Sequence, residues 1–313
     1  MTLALLGLHL AVTGVLLPRR LAGHARLQAR PALGAALWLA LMASFTVALV
    51  LAAHHALEPA AHEPAGLLGL LHHLEPTRRE PTGPVVPHTH DWWQLAAAGA
   101  ALAGLLATVG VRAGRARRRH RAVLDVVAVR DGRWGALVLE HAHPTVYCLP
   151  GRRSRVVLSR GALRLLDERQ LAAAVAHEHG HIRGRHHLLR LPADTFALLL
   201  GRLPLARLGR TEVALLLEMA ADDAALAEVS RGELASALYA LASGTAASGT
   251  SAAGSSASGA APEGSLGAAS TGVLARVRRL ARPGGGRRRQ LAGWLWVLTL
   301  PALPYLLACA PHP

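Results

Sequence analysis

The chain contains no lysine and only 2 cysteines in 313 residues, and Phe, Trp and Tyr together supply 4% of it. Cys148 and Cys309 stand far apart in the sequence, which excludes a disulfide-framed small domain. Charged residues reach only 17%, against about 25% in ordinary soluble domains. Apolar residues make up 52%, mostly Ala, Leu and Val, which excludes a disordered chain and argues against a purely soluble one. Acidic groups are few as well: 19 against 34 basic residues, all of them Arg, for a formal charge of +15. That excess arrives without interleaved aromatics or a recognisable binding fold, so no nucleic-acid partner is expected.

What is present is a set of long apolar stretches. A bilayer requires about 20 mostly apolar residues per helix, and four stretches answer: about 2–17, 32–53, 94–111 and 291–309. A cleaved signal peptide is the competing reading of the first, but no basic residue precedes its apolar run and its arginines follow it. Arg19, Arg20, Arg26 and Arg30 lie after the first stretch, Arg112 to Arg121 after the third, and Arg287, Arg288 and Arg289 before the fourth. The connector after the second holds only Arg78 and Arg79, against Glu58, Glu63, Glu75, Glu80 and Asp91. Four spans put every basic cluster on one side, the cytoplasmic one, with Trp92 and Trp93 at the outer interface and Trp294 and Trp296 at the inner. The expectation is a mainly α, multi-pass cell-membrane protein with the lipid bilayer as a partner. A cytosolic α+β domain is inserted between the third and fourth spans.

Residues 1–112 then form the membrane region and 113–242 the inserted domain. Within the insert, Val123, Val126, Val127 and Val129 lead through Asp131-Gly132 to 136–140, and 145–149 meets Pro150-Gly151 before 155–159. These runs read as a small antiparallel sheet. Helices are expected over 167–187 and 211–229, with a buried or interface-hugging piece at 195–200 between them. Residues 243–271 are almost wholly Gly, Ala, Ser and Thr and read as a flexible linker. The next segment, 272–290, reads as a basic juxtamembrane helix near anionic lipid, and 291–313 as the fourth span and a short tail. The outer connector carries seven histidines from His54 to His90 and reads as a solvated loop; an external metal or pH sensor is the sharper alternative.

The chemistry concentrates in His177-Glu178-His179-Gly180-His181. His177 and His181, four apart, project from one helix face and suit one Zn2+, with Glu178 beside them as general base. A catalytic zinc needs a third protein ligand, and Glu218 in Glu218-Met219-Ala220-Ala221-Asp222 supplies it. Asp222, one turn along, can accept a hydrogen bond from a ligating imidazole and fix its tautomer. Small alanines around both motifs let the helices approach. His179 points away from that face, and His186 and His187 read as polar ends of the helix.

HEHGH followed by EMAAD resembles the gluzincin membrane peptidases, of the HtpX/CAAX-prenyl and BlaR/MecR antirepressor types. The resemblance covers roughly residues 147–225, including Leu149-Pro150-Gly151 and Leu158-Ser159-Arg160-Gly161. It implies a zinc metalloendopeptidase cleaving a protein or peptide substrate, a cytosolic repressor among the partners, and an edge strand for the substrate at about 155–159. Three spans before the zinc domain and one after favour the BlaR/MecR arrangement, with no penicillin-binding sensor domain after the last span. An HtpX-like quality-control protease and a zinc-binding signalling protein that does not cleave are the alternatives. The group stabilising the oxyanion stays open among His186, Arg183 and Tyr147.

Overall fold

The computed structural model describes residues 2–57, 91–151, 153–251, 266–281 and 290–308. Helix α1, Thr2–Leu21, contains a π-helical turn at Val12–Leu16, and a single turn at Ala25–Gln28 leads into α2, Pro31–Leu57. Both α1 and the 31–56 stretch of α2 are long and apolar enough to cross a membrane. Helix α3 then runs unbroken through Asp91–Val127 and holds the third apolar stretch. The seven-histidine connector falls mainly on residues outside the described set; His54 and His55 close α2.

Four short strands follow: β1 Ala128–Asp131, β2 Ala136–Leu139, β3 Val146–Leu149 and β4 Arg155–Ser159. Val123, Val126 and Val127, read as strand residues from the sequence, are the exposed last turns of α3 instead. The sheet order is β1-β2-β4-β3, and it is mixed rather than antiparallel: β4 runs parallel to β2, pairing Leu137 with Val157, while β1–β2 and β3–β4 are antiparallel. The reason lies in β4, whose apolar run Val156-Val157-Leu158 suits a strand covered on both faces. Val157 faces Leu124 of α3 along with Leu137 and Leu149, whereas Val156 and Leu158 face Leu166, Leu171, Ala174 and Val175. β4 therefore takes an interior position, leaving β1 and β3 as the two edges.

The remaining helices are α4 Arg160–Leu165, α5 Glu168–Arg183, α6 His186–Leu200, α7 Pro204–Ala225, α8 Arg231–Ser251 and α9 Leu266–Leu280. Helix α10, Gln290–Thr299, continues through a 3-10 turn into α11, Leu303–Ala308. Ser159 caps α4 by accepting from Ala162 N at 3.0 Å. Asp167 and Gln170 close a reciprocal capping box on α5, an arrangement that satisfies two otherwise orphaned donors.

Three sequence expectations shift here. The stretch at 243–271 is helical at both described ends, completing α8 and opening α9, while 252–265 lies outside the described residues. In the basic segment after it, Arg276 and Arg279 are turned to carboxylates of α7, Asp222 and Asp223. The segment packs on the inserted domain, where Leu280 joins Ala173, Ala176, Ala225 and Leu234 in one apolar cluster. Lastly, α6 is longer than the 195–200 piece, and with α7 it is seated against α2. Trp38, Leu41, Met42 and Phe45 of α2 share a core with Ala193, Phe196, Leu205, Val213, Leu216 and Met219. The Phe45 and Phe196 rings meet edge to face at 5.9 Å. Burying half a dozen large side chains at about 1.5–3 kcal/mol each makes this one joint body rather than a domain on a tether.

Candidate metal centre

Helices α5 and α7 cross where Gly180 faces Ala221: a Cβ on residue 180 would lie 2.8 Å from the Ala221 carbonyl oxygen. Glycine at this one position sets the close approach, and the crossing brings the two motifs together. His177 Nε2 and His181 Nε2 are 3.1 Å apart. Glu218 Oε2 lies 3.4 Å from the first and Oε1 3.3 Å from the second. Three donors from three side chains thus fall within 4.8 Å of one another. Two imidazoles and a carboxylate, converging from a rigid helix pair, are a donor set suited to zinc.

Each imidazole has a partner at its far nitrogen. Asp222 Oδ1 is 3.0 Å from His177 Nδ1, and His186 Nδ1 is 2.9 Å from His181 Nδ1. Glu178 borders an open cavity of about 350 Å³ together with His181, Glu218, Tyr147 and Cys148. A metal held by three protein donors beside such an opening keeps room for water and substrate. Of the residues considered for an oxyanion, Tyr147 and His186 line this cavity. Arg183 turns outward to Glu228 at 2.6 Å.

The electrostatics follow from burial and pairing. Burial alone would lower the His177 imidazole, but hydrogen bonds with Asp222 and Glu218 outweigh it and lift its pKa to about 9. Burial would raise the Glu218 carboxyl; the two imidazoles and Arg276 instead hold it well below the usual carboxylate range. Burial, then the neighbouring His181, pushes His186 down to about 4, which keeps it neutral. Burial first and Glu178 second drive the Cys148 thiol far upward.

Arg276, on the basic helix α9, is drawn into the centre rather than left exposed on that helix. It is 6% exposed, with Nε 2.8 Å and Nη2 2.6 Å from Asp222 and Nη1 3.0 Å from Glu218 Oε2. Arg279, one turn on, reaches Asp223 at 2.7 Å and the Gln28 carbonyl at 2.7 Å. The signal was present in the spacing: Arg276 and Arg279 lie on one helix face with Leu280, against an α7 segment rich in carboxylates.

Residues 111–250 match the family model for peptidase family M48. The matched segment is therefore similar to a metallopeptidase domain, and M48 metallopeptidases are typically zinc-dependent. The M48 match takes in the sheet, α5, α6, α7 and nearly all of α8, while α9 with Arg276 lies beyond it. No curated protein and no solved structure matches the chain.

β3, not β4, is the strand beside the cavity. Val146, Tyr147 and Cys148 line it, and among the described residues β3 pairs only with β4. Residues 155–159, where the family resemblance implies a substrate edge, are covered on both sides by β2 and β3, so they are not an edge; the edge strand beside the cavity is 146–149.

Proposed function

We propose that the chain is a membrane-bound zinc metalloendopeptidase that hydrolyses peptide bonds of a protein substrate at the cytosolic face. The observation that carries this is the convergence of His177, His181 and Glu218 beside a cavity that Glu178 borders. These three residues would hold one Zn2+, which when bound supplies electrophilic activation of the scissile carbonyl and of the attacking water. Glu178 takes a proton from that water and passes it to the departing amine. Asp222 and Arg276 keep His177 and Glu218 aimed at a common point. The extended backbone of the substrate adds to the exposed edge of β3, a mode that uses main-chain hydrogen bonds and tolerates many sequences. Four spans, 2–17, 32–53, 94–111 and 291–309, carry the domain in the cell membrane with its basic flanks inside.

Regulatory proteolysis of a cytosolic repressor, as in the BlaR/MecR type that the sequence resembles, is the first substrate reading. A second is HtpX-like removal of membrane proteins, and a specific observation favours it. Helices α6 and α7 lead from the His pair to Glu218 along the apolar helix α2, and Leu198 and Leu199 on α6 are exposed. A site built on a spanning helix meets substrates at bilayer level.

The test compares wild type with Glu178→Gln in detergent-solubilised full-length chain. The variant keeps its zinc and loses about 10²–10⁴-fold in peptide cleavage, the usual contribution of a positioned base. Equal cleavage by both removes the assignment. Trapping of bound proteins by Glu178→Gln in cells then separates a soluble repressor from a membrane protein as substrate.

A further inference from the structure

His186 stands just outside the HEHGH motif, on the first turn of the next helix, and nothing in the motif calls for it. It is nonetheless 8% exposed, and its Nδ1 lies 2.9 Å from His181 Nδ1. The rings are edge to face with centroids 4.8 Å apart. The local chain is shaped to put it there. Helix α5 stops at Gly184, and Arg185 adopts φ +48°, a left-handed conformation that costs a non-glycine residue about 1 kcal/mol. That reversal starts α6 at once and swings residue 186 back over the last turn of α5. Gly184 leaves the space: a Cβ there would overlap Nε2 and Cδ2 of the His186 ring.

We infer that His186 is a positioning residue for His181, accepting its Nδ1–H so that Nε2 is turned to the metal. The inference rests on the metallopeptidase reading above. Two nitrogens at 2.9 Å require that one carry the proton and the other a lone pair. If His181 ligates through Nε2, its own proton sits on Nδ1, so His186 Nδ1 is the acceptor and His186 Nε2 carries the hydrogen. His177 is treated in the same way by Asp222 at 3.0 Å. The two ligands therefore have unlike partners: a carboxylate, itself held by Arg276, for one and a neutral imidazole for the other. Partners of this sort fix ring orientation and tautomer, and losing one weakens metal binding by about 10–100-fold.

The experiment uses detergent-solubilised full-length chain carrying His186→Leu, His186→Asn or Gly184→Ala, with His181→Ala as control. Zinc dissociation constants come from chelator competition, and visible absorption of the Co2+-loaded proteins reports ligand-field geometry. His186→Leu should bind zinc about 10–100-fold more weakly and shift the Co2+ bands. His186→Asn, whose Oδ1 takes the place of Nδ1, should recover both toward wild type. Gly184→Ala, which displaces the ring while keeping it, should reproduce the Leu result; it carries the test if the Leu variant fails to fold. Wild-type zinc affinity and Co2+ bands in both Leu and Gly184→Ala chains overturn the inference, and a raised KM alone would assign His186 to the substrate instead. An Asn chain as impaired as the Leu chain also overturns it. A wild-type chain that takes up no zinc overturns the metallopeptidase reading together with this one, which keeps the two failures distinct.

Discussion

Arg276 grips Asp222 through two nitrogens, at 2.8 and 2.6 Å, while its third nitrogen reaches Glu218 at 3.0 Å. One cation from α9 thereby ties together the two carboxylates of α7 that serve the candidate metal centre. Burial would raise Asp222, and the guanidinium and His177 hold it down. Replacing Arg276 with Met leaves a carboxylate buried beside one imidazole. The expected cost is about 3–5 kcal/mol, the range for removing one partner of a buried pair. Denaturant unfolding of the metal-free chain checks it. Arg276→Lys should recover only part of the loss, because a point charge cannot bridge Asp222 and Glu218 as a planar fork does.

Protons and metal compete at His177. Its folded pKa is lifted above the ordinary 6.5 to about 9. The sign is that of a raised group: its contribution to stability is complete below pH 6.5 and fades as pH climbs through 9. At pH 7.5 the metal-free imidazole is protonated, so zinc must displace that proton. Calorimetric titration in buffers of different ionisation enthalpy should show about one proton released per zinc from this residue. Heats that do not vary with the buffer would contradict the pairing of His177 with Asp222 and Glu218.

Gly180 sets the distance between α5 and α7. Gly180→Val would drive side-chain atoms into the Ala221 backbone, 2.8 Å from where a Cβ would stand. Overpacking of this kind costs about 1–3 kcal/mol, and its consequence here is functional. Glu218 moves away from the His pair, and zinc affinity falls further than stability does. Paired chelator competition and thermal unfolding measure both. An intact zinc site in a normally stable Gly180→Val chain would show that the crossing is not what assembles the donors.

Cys148 borders the same cavity but is not expected to act as a nucleophile. Burial and Glu178 raise its thiol, and it is the thiolate that reacts. Iodoacetamide at pH 8 should therefore label Cys148 far more slowly than a small-molecule thiol, as read by peptide mass spectrometry. Rapid labelling would mean that the thiol is ionised and must be added to the chemistry of the site.

The local parts of this protein were legible because their signals are local. HEHGH and EMAAD each occupy one turn or so of helix, and the alanines that allow α5 and α7 to touch are visible beside them. The contributions of α9 and β3 were not, for different physical reasons. Arg276 is separated from Glu218 by 58 positions, and a basic helix before an apolar one reads equally well as a lipid-facing segment until its partners are seen. The edge at β4 is only what the family resemblance implies, since it places the edge strand just before the HEHGH helix, yet Val156-Val157-Leu158 is a run without alternation. Such a run suits a strand covered on both faces, which places β4 inside the sheet and leaves β3 at its margin. From the sequence His186 reads as a polar residue closing the HEHGH helix; in the structure that helix stops at Arg183, His186 opens α6, and the left-handed turn at Arg185 sends it back onto His181.

The most direct measurement is zinc K-edge X-ray absorption on purified full-length chain loaded with one equivalent of the metal. A site of His177, His181 and Glu218 gives nitrogen and oxygen neighbours alone at about 2.0–2.2 Å, two of them with imidazole scattering, and one fewer protein ligand after Glu218→Ala. A sulfur neighbour at about 2.3 Å, a single imidazole, or a spectrum that Glu218→Ala leaves unchanged would contradict it.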